Sequence, residues 1–138
     1  MEKVILISPP CLHSNGKLIE TESDIFFHFK HSLLSINQNL IVAKFKQKDE
    51  NYLQLDLDFL RNKINRETIV FIDGNIKLDK DGKIYPFELF DILKNSGAKV
   101  VCFIGDLVKD LNFKYFVEIS NVIIGFSSDA VSWANKFY

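Results

Sequence analysis

The chain has 138 residues, 47% hydrophobic and 25% charged, and its 17 basic and 18 acidic side chains leave a formal charge of −1. This fits one globular domain, residues 1–138, with enough apolar content to build a core without disulfides or metal. The balanced charge offers no field to nucleic acid or an anionic membrane, and no apolar run nears the roughly 18–20 residues of a membrane span, so neither partner is expected.

In chain order, the run Val4–Ile7 predicts a first strand ending at Ser8. It is too short for the apolar core of a signal peptide. Cys11 and Cys102 are the only cysteines and read as free thiols, so the expected location is cytoplasmic. The segment SPPCLHSNG reads as a connecting loop, stiff at its base because paired prolines fix their own backbone and restrict the residues before them. Backbone amides of Ser14, Asn15 and Gly16 suit an anion, but the loop has neither a GxGxxG pattern nor P-loop lysine spacing, which argues against a dinucleotide or nucleoside triphosphate.

A first helix is expected from about Thr21, which caps it, with Ile25, Phe29, Leu33 and Ile36 facing the sheet at helical spacing. Asp24, His28, His31 and Ser35 share the opposite face. Two histidines and a carboxylate suit zinc in principle, but a face turned away from the apolar stripe reads as solvated surface. A second strand is expected over Leu40–Phe45. In YLQLDLDFLRNKI, strand-like alternation overlaps helical spacing, and we read an extended entry followed by a helix from Asp56 or Leu57 to Asn65.

The third strand, Ile69–Ile72, leads into DGNIKLDKDGKIYP. That loop imitates a calcium loop, yet Lys77 stands where the first carboxylate belongs and Pro86 falls inside it. A hairpin turning at Asp79–Gly82, with Ile76 and Leu78 opposite Ile84 and Tyr85, accounts for the same residues. Pro86 suits a first helical turn, and Phe87, Phe90 and Leu93 followed by Gly97 mark a helix with its stop. A fourth strand at Val100–Ile104, a weaker helix at Val108–Ile119 broken near Asn112, a fifth strand at Val122–Phe126 and a last helix at Ser128–Phe137 complete the chain. Trp133, at helical spacing in that last helix, reads as core.

Nearly continuous apolar strands alternating with helices predict a three-layer α-β-α sandwich, a flavodoxin- or Rossmann-like domain with a five-stranded parallel sheet in the order 2-1-3-4-5. In such sheets ligands bind beyond the carboxyl ends of the strands, where the strand order reverses. The loops leaving those ends carry Ser8, His13, Asn15, Gly16, Asp73, Gly74, Asn75, Gly105, Asp106, Ser127 and Ser128. From these, Ser8, His13, Asn15, Gly16, Asp73, Asn75, Asp106 and Ser127 form the candidate ligand-binding set. Asp73 and Asp106, at two strand ends, also suit an acid and base pair or a cation.

The succession TIVFIDGN, a helix ending in KNSGAKVVCFIGD, then NVIIGFSSDAVSWANKFY, with VILISPP as opening strand, resembles the N-terminal, acceptor-side domain of GT-B glycosyltransferases. The resemblance spans most of the chain and rests on the order of these features. It implies a sugar-related ligand, with Ser8, His13, Asn15 and Asp106 bordering the cleft. It also implies that the nucleotide-sugar donor belongs to a second domain that 138 residues do not hold, so this chain alone is not expected to transfer sugar.

A degenerate receiver-like signalling or protein-interaction module is the alternative. Asp73 stands where a receiver carries its aspartate. Prolines replace the acidic pair after strand one, however, and Ser127 and Ser128 stand where a receiver has lysine. A cobalamin domain is set aside for want of an Asp-x-His-x-x-Gly motif. The expected partner is a small polar or sugar-related ligand, without cofactor; a second domain or a homodimer is the candidate macromolecular association.

Overall fold

The structure, a computed structural model, describes residues 3–14, 17–22, 24–48, 52–76, 84–104, 113–125, 132 and 136. The elements in chain order are β1 (Lys3–Ile7), β2 (Cys11–Ser14), β3 (Lys17–Glu22), α1 (Asp24–Ile36), β4 (Ile41–Val42), β5 (Phe45–Gln47), β6 (Leu53–Leu55), α2 (Leu57–Arg61), β7 (Thr68–Asp73), α3 (Glu88–Ser96), β8 (Lys99–Ile104), α4 (Phe113–Ile119) and β9 (Val122–Gly125).

Five strands form one sheet in the order β4-β1-β7-β8-β9, and every neighbouring pair is parallel. Counted among themselves, these five strands follow the predicted 2-1-3-4-5 order. The apolar runs are continuous because alternate side chains enter two different cores. Ile5, Ile7, Val70, Ile72, Val100, Cys102 and Ile104 point to one face, where they meet Leu60 of α2, Leu89, Phe90 and Leu93 of α3, and Phe113 and Phe116 of α4. Leu6 and Phe103 point to the other face, against Phe26 and Leu33 of α1, with Phe71 and Phe29 beside them. The rings of Phe29 and Phe103 stack at 3.8 Å.

This division follows from the strand order. The chain leaves β1 toward β4 in one direction, then crosses back over β1 to β7 and continues the opposite way. With right-handed crossovers, that reversal puts α1 on one face and α2, α3 and α4 on the other.

Local chemistry accounts for several element boundaries. Asp56 caps α2, its carboxyl accepting from the Phe59 amide at 3.3 Å, so the extended piece β6 enters the helix as expected. Gly97 ends α3 with φ of 74°, the left-handed region where a side chain is strained.

Other expectations need correction. Thr21 does not cap α1, because it lies in β3 and the helix begins at Asp24. The sheet-facing stripe of α1 is Phe26, Phe29 and Leu33, whereas Ile36 is 84% exposed. The second strand is split: Ile41 and Val42 join the sheet, while Phe45–Gln47 bends away to pair antiparallel with Leu53–Leu55. The segment after Ser8 is a connector only as far as Pro10, since β2 and β3 then form an antiparallel hairpin. Ile84 gives its carbonyl to the Leu55 amide at 2.9 Å, and the proposed turn at Asp79–Gly82 lies outside the described residues. Most of the last helix, including Trp133, and residues 108–112 of the fourth also lie outside them.

Candidate functional site

The reversal of strand order falls between β1 and β7, and the carboxyl ends of these two strands carry Ser8 and Asp73. Ile7 is paired with Ile72, so the next residue on each strand comes side by side. The Ser8 hydroxyl donates to Asp73 Oδ2 at 3.5 Å, and the Asn75 amide donates to Asp73 Oδ1 at 2.9 Å. The second contact is an Asx turn, in which an aspartate folds its side chain over its own backbone two residues on. It aims the carboxyl back over the strand ends instead of outward to solvent.

Gly74 makes that turn possible. Its amide donates to the Phe103 carbonyl at 2.9 Å, holding the turn down on β8. A Cβ there would overlap Cys102 Sγ and press on Ile104. Only a residue without a side chain lets the chain lie this close.

Tyr85 closes the site from below. Fully buried, its hydroxyl lies 3.2 Å from the carbonyls of both Ile7 and Asp73 and shares its one proton between them. It therefore ties β1 to β7 at their carboxyl ends. Its role had little signal in the sequence beyond its place before Pro86, where the backbone is pushed toward an extended form. Reading Ile84 and Tyr85 as a hairpin arm missed it.

Electrostatically the site is acidic, and among the described residues no cation pairs with its carboxyl. Asp73 is 6% exposed, and burial pushes its carboxyl up to about 6, against the opposing pull of the Asn75 amide and the Ser8 hydroxyl. None of the ion pairs among the described residues involves it. Burial also raises the Tyr85 hydroxyl well above its ordinary value and the Cys102 thiol to about 12, with Asp73 contributing second to both. Both groups are neutral at physiological pH, so Asp73 is the titrating member.

Of the candidate ligand-binding residues, the structure brings Ser8, Asp73 and Asn75 together. His13 lies in β2 with its side chain outside the description, and Asn15, Gly16, Asp106 and Ser127 lie outside the described residues. The acid and base pairing of Asp73 with Asp106 falls there too. On α1, His28, His31 and Ser35 are exposed, as expected of a solvated face, and the Phe27 ring packs against both histidines. Among the described residues no group of three ligating side chains is placed to hold a metal ion, and no helix is long and apolar enough to cross a membrane.

Among the described residues, two surface grooves lie elsewhere. One, of about 230 Å³, runs along β5, β6 and α2, but its Lys46 and Arg61 are already engaged by Asp56 at 3.5 Å and Glu88 at 2.9 Å. The other, of about 200 Å³, lies between α3 and α4 and is lined by Phe87, Phe90 and Tyr115. The first is lined by polar side chains, Lys48, Gln54 and Asp58 among them, but neither groove lies at the strand reversal.

Compared with known proteins, the chain matches no family model, no curated protein and no solved structure.

Proposed function

We propose that this domain binds a small polar ligand at the carboxyl edge of its sheet, over the β1–β7 reversal, with Asp73 as the principal acceptor and Ser8 and the Asn75 turn beside it. One observation carries the reading: a carboxyl is held almost wholly buried at the strand reversal, where sheets of this type receive ligands. Ionising such a group costs stability, and a perturbed carboxyl in that position is a mark of a working site. The sugar-related character of the ligand comes from the glycosyltransferase resemblance, in which this chain corresponds to the acceptor side and does not carry out transfer alone. We place the activity in the cytoplasm, with the buried free thiol of Cys102 suited to a reducing compartment.

The test is a screen of monosaccharides, polyols and nucleosides against isotope-labelled protein, reading the amides of Ser8, Gly74 and Asn75 by NMR. Binding should shift these three amides together and should weaken at least tenfold in Ser8→Ala and Asp73→Asn. Shifts confined to other parts of the molecule would refute the reading.

A receiver-like interaction module is favoured by one observation, the aspartate at the end of the third sheet strand. The two readings separate on what Asp73 does. In-line attack on a phosphodonor needs an open carboxylate, whereas Asp73 is enclosed by Ser8, the Asn75 turn and Tyr85. Acetyl phosphate treatment followed by mass spectrometry should therefore leave Asp73 unmodified, and a mass increase of one phosphoryl group there would favour the receiver.

A further inference from the structure

Resting on the binding reading above, we propose that the ligand presents a cationic nitrogen, such as a primary ammonium, to Asp73. The geometry around this carboxyl is one of acceptors. Among the described residues its two oxygens each take a single neutral donor, the Ser8 hydroxyl and the Asn75 amide, and each carboxylate oxygen has lone pairs for more. The Ile7 and Asp73 carbonyls next to it share one phenolic proton. No lysine, arginine or histidine forms an ion pair with it among the described residues.

A buried carboxylate normally comes with a cation, because an uncompensated charge is expensive to desolvate. Here the protein supplies the negative partner and leaves the positive one to the ligand. A neutral hydroxyl can donate to Asp73, but only a charged donor also offsets the desolvation of the ionised form, and charge-assisted hydrogen bonds are about twice as strong as neutral ones. The residual 6% exposure of Asp73 suits a compact head group better than a planar guanidinium fork.

Among the described residues, the titratable groups facing Asp73 are Tyr85, from the segment before α3, and Cys102 of β8. Both are uncharged across the pH range used below. Any loss of amine preference with acid therefore reports Asp73, which accepts a proton as the pH falls below about 6.

The experiment uses glucamine and sorbitol, which differ only in an ammonium for a hydroxyl, titrated into the labelled full chain at pH 7.5 and 4.5. Glucamine should bind at least tenfold more tightly at pH 7.5, with shifts at Ser8, Gly74 and Asn75. That preference should vanish at pH 4.5 and, independently, in Asp73→Asn at pH 7.5. Equal affinity for sorbitol at pH 7.5 overturns the inference and leaves the polar-ligand reading standing. An amine preference that survives in Asp73→Asn overturns it as well, since the ammonium is then held elsewhere. If neither compound moves these amides, both readings fall.

Discussion

The phenolic hydroxyl of Tyr85 lies 3.2 Å from the main-chain carbonyl of Asp73, and at the same distance from that of Ile7 on the neighbouring strand. A single buried proton is therefore shared between the ends of the two central strands. Removing it in Tyr85→Phe leaves both carbonyls short of a donor while the ring still fills its place beside Phe45 and Phe116. The expected cost is roughly 1–3 kcal/mol, seen as a lower midpoint of urea unfolding with an unchanged slope. Stability equal to that of the parent would mean that water replaces the hydroxyl.

Asp73 sets a pH dependence whose sign follows from burial. Its folded pKa, about 6, lies above the ordinary 3.8, so the folded state holds the proton more tightly than the unfolded chain does. Below about pH 4 the carboxyl is neutral in both states and costs nothing. As the pH rises through 6, stability falls by an amount on the order of 3 kcal/mol. Asp73→Asn keeps the shape and the Asn75 contact without the charge. It should be more stable than the parent at pH 7.5 and match it below pH 4, as read from denaturation midpoints across that range. A variant less stable than the parent at pH 7.5 would show that the ionised carboxylate is stabilised by something beyond Ser8 and Asn75.

Gly74→Ala should destabilise the fold by roughly 1–3 kcal/mol through overpacking, because the new methyl group meets Cys102 Sγ and Ile104. The clash has a named partner, which makes the prediction sharper. Cys102→Ala alone should cost about 1 kcal/mol for its cavity. The double variant should be less damaged than the sum of the two, by roughly 0.5–3 kcal/mol of coupling. Strict additivity in a double-mutant cycle would place the strain elsewhere in the turn.

Cys102 should be chemically silent in the folded protein. It is fully buried and its thiol is raised to about 12, chiefly by desolvation, so almost no reactive thiolate exists at pH 8. Peptide mass spectrometry after iodoacetamide treatment should find Cys102 unmodified in native protein and fully modified in denaturant. Rapid labelling under native conditions would show that β8 opens locally.

What the sequence determined unaided is the layered arrangement. Strands such as KVVCFI are apolar on both sides, which only a sheet covered on two faces satisfies, and the helices between them leave few alternatives to parallel strands. The end of α3 at Gly97 and the entry to α2 at Asp56 were legible for the same reason: each is a local contest between a side chain and its own backbone.

Where the tertiary structure decided the outcome, distant residues were involved. Nothing local in CLHSNGKLIETE distinguishes a loop from a β2–β3 hairpin, and nothing local exposes Ile36 while burying Phe26. The site is the clearest case. Ser8, Asp73 and Asn75 were visible as polar residues at strand ends, but Tyr85 is 78 residues from the Ile7 carbonyl it engages. Such a contact exists only once the sheet has brought the two strand ends together, and burial of Asp73 between them, not its identity, is what raises its pKa.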